Sequence, residues 1–127
     1  NVRGKYFQNR CFFEGSSAAS WTEGRDQCRL SDGSLVTIDT DDVNNFLLTV
    51  TTAGVFWAGG NDLTNEGTWT WIENDQPILL NSLWYLGAPQ ASSSEADCLG
   101  VVTASGEWRD VPCSLPATYI CQRYITQ

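Results

Sequence analysis

Hydrophobic and polar positions along the chain change their spacing several times, and each change marks a new element. Residues 5–12 (Lys-Tyr-Phe-Gln-Asn-Arg-Cys-Phe) are rich in aromatics and predict an opening strand. Ser20-Trp21-Thr22-Glu23 is a capping box, in which the serine oxygen and the glutamate side chain satisfy free amides of a helix's first turn. A helix is therefore predicted from Trp21 to Arg29, with Trp21, Cys28 and the stem of Arg25 near its inner face. Asp32-Gly33 ends it in a turn, and Ser34–Ile38 is strand-like. Thr40 followed by Asp41 and Asp42 starts a second helix, its acids set where the helix dipole favours them. Val43, Phe46, Leu47 and Val50 recur at helical spacing and give it one core-facing side.

Beyond that helix the apolar runs shorten. Val55–Ala58 predicts a buried strand that Gly59-Gly60 ends, and Thr68–Ile72 alternates as a further strand. From Glu73 to Ala96 the pattern dissolves into prolines and polar residues. A loop of that length inside a compact domain is usually functional. Three strand candidates follow, Cys98–Val102, Glu107–Val111 and Thr118–Arg123. Two helices and short strands around a long loop make an α+β domain, and the absence of repeats or linkers makes residues 1–127 one domain.

Composition removes several function classes. Seven basic residues against 15 acidic ones give a net charge of −8, the wrong sign for binding phosphate backbones or anionic membranes. The chain has no histidine, so it lacks the usual general base, the neutral-pH switch and the commonest metal ligand together. No enzyme is expected. Five cysteines, none in a Cys-x-x-Cys pair, point to structural disulfides and a secreted, extracellular protein. Position pairs Cys28 with Cys121 across the domain and Cys98 with Cys113 around a short loop. In the chain-entropy model these closures contribute about 4.6 and about 3 kcal/mol. Cys11 is left over, either as a buried thiol, as the mate of a cysteine upstream of Asn1, or as an interchain disulfide joining a dimer.

Taken in order, these landmarks resemble the C-type lectin-like domain, in particular its secreted, invertebrate-type members. The resemblance runs through Trp21 and Cys28, Leu35-Val-Thr-Ile38, Phe56-Trp-Ala-Gly-Gly60 and Asn65-Glu-Gly-Thr-Trp-Thr-Trp71. It continues through Trp84, Asp97-Cys98, Trp108-Arg-Asp110, Cys113 and Tyr119-Ile-Cys121. It implies two helices, two small antiparallel sheets, a long ligand-binding loop and the same two disulfides.

The resemblance also implies a sugar site built around calcium, and here the sequence departs from it. The loop triplet that carries ligands in the family is Ala88-Pro89-Gln90, Ala96 stands where an acid is usual, and Arg109 replaces the asparagine of Trp-Asn-Asp. Asp110 is the ligand kept intact. A guanidinium about 4 Å from a divalent ion costs about 8 kcal/mol at an effective dielectric of about 20, before relaxation. The sugar-bridging calcium is thus not expected. A second, non-sugar calcium site is implied at Asp62, Glu66 and Asp97, but Ala91 and Ala96 replace two of its other positions. The preferred expectation from sequence is that Asp62 and Glu66 only solvate a turn.

The function expected is a lectin that binds N-acetylhexosamines (GlcNAc or GalNAc) by direct side-chain hydrogen bonds, with no cofactor required and a weakly bound structural calcium as the one candidate ion. Arg109 would donate to an acetamido carbonyl and Asp110 accept from its N–H. Gln90, Glu95 and Asp97 would reach ring hydroxyls, and Trp84 or Tyr85 would stack on the apolar sugar face. The alternative is a lectin-like domain that binds a protein ligand and no sugar. A mineral- or ice-binding acidic protein is a third reading, which the scatter of the acids disfavours.

Overall fold

A computed structural model describes residues 4–79, 83–84 and 97–125. The opening segment is a hairpin, β1 (Lys5–Phe7) and β2 (Arg10–Glu14), where the sequence predicts one strand. Gln8 takes a left-handed φ of 50° and turns the chain back, so that Phe7 pairs with Arg10. Helix α1 (Trp21–Leu30) begins at Ser20 with both halves of the capping box formed. The Glu23 amide donates to Ser20 Oγ at 3.2 Å, and the Ser20 amide donates to Glu23 Oε1 at 3.0 Å, a pair worth about 1 kcal/mol to the helix. Trp21, Gly24 and Cys28 are its buried face. Arg25 lies over the Trp21 ring at 5.8 Å, as expected for a stem near the inner side.

The strand β3 is only Ser34–Leu35. Val36–Ile38 are buried beyond it; the Val36 amide still donates to Ile120 O, while Val36 O accepts from the Gly59 amide. Helix α2 (Asp41–Leu47) is capped by Thr40, whose side chain accepts from the Val43 amide. Its strand neighbour β4 (Val55–Asn61) passes straight through Gly59-Gly60, which were expected to end it. Those glycines mark close packing: a Cβ on Gly60 would lie 2.5 Å from Leu99, and one on Gly59 would lie 3.1 Å from two backbone carbonyls.

The remaining strands are β5 (Thr70–Trp71), β6 (Cys98–Val102), β7 (Trp108–Val111) and β8 (Thr118–Tyr124). Their order is β1-β2-β8-β4-β6-β7, with β3 on β8 and β5 on β4. The pairings are antiparallel except at the junction, where Phe56 and Trp57 of β4 run parallel to Thr118 and Tyr119 of β8. That short parallel contact joins two antiparallel groups. One core cluster, with Val43, Leu47, Phe56, Leu99 and Trp108, lies against α2. The other surrounds Trp21, Cys28, Trp57, Tyr119 and Cys121 under α1. The disulfides are those expected, Cys28–Cys121 and Cys98–Cys113. Cys11 is a free thiol, 7% exposed, with its Sγ packed beneath Gly4. A bond from Cys11 to another chain would require β1 to lift.

Candidate functional site

Two groups of residues meet near the ends of β4, β6 and β7. The first is the edge of β7, the last strand of the sheet path. Its register sets Trp108 opposite Val101, Arg109 opposite Gly100 and Asp110 opposite Leu99. Trp108 is fully buried; its indole Nε1 donates to Asn44 Oδ1 at 2.9 Å and its amide to Leu83 O at 2.8 Å. Asn44, 1% exposed on α2, also donates through Nδ2 to Gly106 O at 3.0 Å, in the turn that precedes β7. A helix residue therefore clamps the strand that carries Arg109 and Asp110.

Three further tryptophans form a row with Trp108 of that strand. Trp69 meets Trp84 edge-on at 5.0 Å, Trp84 meets Trp108 at 5.7 Å, and Trp71 meets Trp108 at 5.8 Å. Trp84 is half-buried in this row, so much of its ring serves packing. Arg109 is exposed and Asp110 half-buried. Successive strand residues point to opposite faces, so a ligand touching both side chains has to lie across the outer edge of β7.

The second group is acidic. Asp62 follows β4 and is held by the Asp62 amide donating to Asp97 O at 3.0 Å and by the Gly67 amide donating to Asp62 Oδ2 at 2.8 Å. Oxygens of Asp62, Glu66 and Asp97 all lie within 4.8 Å of one another. Contrary to the expectation of a solvated turn, Asp62 is only 3% exposed. Its Oδ1, and that of Asp97, are buried with no hydrogen-bond partner among the described residues. Burial pushes both carboxyls above their usual range, and the neighbouring Asp62 pushes Asp97 in the same direction. Orphaned, crowded carboxylate oxygens fit a hard divalent cation such as calcium, which takes oxygen ligands only.

Of the residues named from sequence, the fold brings Trp84 and Asp97 to the neighbourhood of β7, and Asp62 and Glu66 to Asp97. Tyr85, the Ala88-Pro89-Gln90 stretch and Glu95 lie outside the described residues. Asn44 was missed: it reads as an unremarked polar residue between Val43 and the apolar side of α2. One signal was available, since a buried tryptophan indole requires an acceptor.

Comparison with known proteins identifies this architecture. The family described as Lectin C-type domain matches residues 17–123. The chain belongs to the C-type lectin domain family. It is 31% identical over 119 residues to a hepatic lectin of Gallus gallus, covering 94% of this chain and 57% of that protein. It is 32% identical over 124 residues to a perlucin-like protein of Mytilus galloprovincialis, covering 92% and 78%. Among solved structures, the cow C-type carbohydrate-recognition domain of CD23, determined in the presence of a GlcNAc2Man3 oligosaccharide, superposes with a TM-score of 0.87 at 30% identity. The superposition covers 98% of this chain and 95% of that one. A calcium-independent type II antifreeze protein superposes at 0.86 but is 22% identical, with 95% and 91% covered, and shares the fold alone. As a C-type lectin domain, the chain is a member of a family of binding proteins and not of enzymes.

Proposed function

We propose that this domain is a secreted carbohydrate-binding lectin that recognises N-acetylhexosamines across the β7 edge without a bridging calcium. One observation supports the reading above the others: Arg109, a permanent cation, is exposed on the last strand of the sheet, next to Asp110 and beside a row of buried and half-buried tryptophans. A guanidinium offers five N–H donors in a fixed fork and a carboxylate accepts, which matches the carbonyl and N–H of an acetamido group. Asp97, Gln90 and Glu95 are proposed to meet ring hydroxyls, with Trp84 or Tyr85 against the apolar sugar face. That the cow CD23 domain, 30% identical, was determined in the presence of a GlcNAc2Man3 oligosaccharide supports glycan binding. Two disulfides favour the oxidising extracellular compartment.

Asp62, Glu66 and Asp97 would hold a calcium ion that does not itself ligate the sugar, Asp97 being shared between the two. When bound there it supplies the positive charge that the three carboxylates lack. Around it, Asp62 ties the end of β4 to residue 97 through its own amide, and the Gly67 amide fixes its second oxygen.

Affinity chromatography tests the reading. The protein is expected to stay on immobilised GlcNAc or GalNAc in excess EDTA and to elute with the free sugar. Elution by EDTA alone would overturn the metal-free contact, and retention that free sugar does not compete would favour a protein ligand. Arg109→Ala is expected to weaken sugar binding about tenfold, about 1.4 kcal/mol, with the unfolding midpoint unchanged, as for an exposed residue.

A further inference from the structure

Away from β7 and from the acidic trio, an open groove of about 220 Å³ lies between β5, the end of β8 and the segment after β3. Buried Trp71 lines it, together with the exposed Leu79 and the 47%-exposed Tyr124. Two carboxylates, Asp39 and Glu73, line it as well.

The charges here are uneven. Arg10, 4% exposed, pairs with Asp39 at 2.8 Å and stands 5.8 Å from the Tyr124 ring centre. Glu73 Oε1 accepts from Thr37 Oγ1 at 2.7 Å and from the Tyr124 hydroxyl at 3.4 Å. One guanidinium thus faces two carboxylates, leaving one negative charge in excess. The second oxygen of each carboxylate makes no hydrogen bond among the described residues. The Tyr124 phenol reports the same field: burial first, then Glu73, raise its pKa, and Arg10 only partly opposes them.

These features select a ligand class. An anion meets net negative charge. A purely apolar ligand would strip water from two carboxylates and return no hydrogen bond. A cation with a short carbon stem satisfies both halves of the groove, because a half-exposed phenol ring attracts positive charge on its face and apolar carbons on its flank. We infer that the groove binds a primary ammonium group, its nitrogen between Asp39 and Glu73 and its carbon stem against Tyr124 and Leu79.

Such a group comes on an amino sugar or on an unbranched alkyl stem like that of lysine. Amide chemical shifts of Asn74, Gln76 and Tyr124 would be followed while n-pentylammonium chloride is added to the intact protein. Saturable shifts are expected, absent with the neutral isostere n-pentanol. Glu73→Gln, which keeps an acceptor for Thr37, and Tyr124→Leu, at an exposed position, should each weaken the interaction about fivefold; Arg109→Ala should not change it. Glucosamine shifting the same amides while N-acetylglucosamine does not would support a sugar-borne ammonium. Glucosamine silent beside active pentylammonium would support the alkyl stem. Equal shifts from n-pentanol, absence of saturation, or full affinity in both groove variants would overturn the assignment.

Discussion

Two kinds of buried charge occur in this domain, the Arg10 guanidinium and the Asp62–Asp97 pair, and the chain supplies an opposite charge to only the first. Arg10 directs Nη1 to Thr37 O and Gln122 Oε1, both at 2.9 Å, and Nη2 to Asp39. Cation and acceptors come from three segments that the sheet brings together, so the guanidinium is met on all sides by the chain, its counter-charge Asp39 standing at the surface. Asp62 and Asp97 are placed as deliberately, by backbone hydrogen bonds, yet they face each other as like charges with one oxygen apiece unpaired. A buried charge costs several kcal/mol unless something opposite meets it. The first group therefore belongs to the structure, whereas the second is relieved either by a proton shared between the two carboxyls or by a cation from outside.

The sharpest way to break this contrast is at Arg10. Arg10→Ala leaves the Thr37 carbonyl without its donor and Asp39 without its cation. The expected loss, from the two charge-assisted bonds to Thr37 and Gln122 and not from the solvated Asp39, is about 3 kcal/mol, read as a lower urea midpoint at unchanged slope. A loss below about 1 kcal/mol would mean that the pairing is no better than a surface ion pair, and the contrast would collapse.

A smaller effect is expected at Asn44. Replacing it with leucine keeps the volume but orphans the Trp108 indole N–H and the Gly106 carbonyl, both buried. Leaving them unpaired should cost about 2 kcal/mol, and the near-ultraviolet circular dichroism of the tryptophan row should change with it. An unaltered tryptophan signal would show that the row holds β7 without help from α2.

What could be read from the sequence followed the range of the interactions involved. The helix starts at Ser20 and Thr40 were legible because a cap is built from residues three apart. The strand β6 was legible because it is apolar on both faces, and β7 and β8 because apolar residues, Trp108 and Val111 in one and Tyr119–Cys121 in the other, anchor them. Gly59 and Gly60 misled because a glycine reads locally as a break, whereas here Leu99 and the carbonyls of Leu35 and Val36 occupy the space that a Cβ would need. Arg10 and Asp62 gave no local sign of burial, since the partners that bury them are up to 112 residues away. At the candidate site, the resemblance to the family located Arg109, Asp110 and the acidic trio. It did not disclose the orphaned oxygens, which depend on how β4 meets the residue before β6.

The mildest test bears on that acidic trio and turns on the sign of its proton linkage. Folding raises the pKa of Asp62 and of Asp97, so the folded chain holds those protons more tightly than the unfolded chain does. Their stabilising contribution is complete below the ordinary carboxylate value of about 3.9 and is lost as pH rises through the raised folded values. In chelator at neutral pH the pair therefore works against the fold. Calcium should raise Tm at neutral pH and have little effect in acid, where the ligands are protonated. Asp97→Asn removes one of the two opposed charges, so in chelator at neutral pH its Tm should exceed that of the parent by about 3 °C. Added calcium should then raise it less than it raises the parent. If the parent's Tm ignores calcium and Asp97→Asn brings no gain in chelator, Asp62 and Asp97 share a proton stably at neutral pH. The two buried groups would then differ in sign alone, both of them complete within the chain.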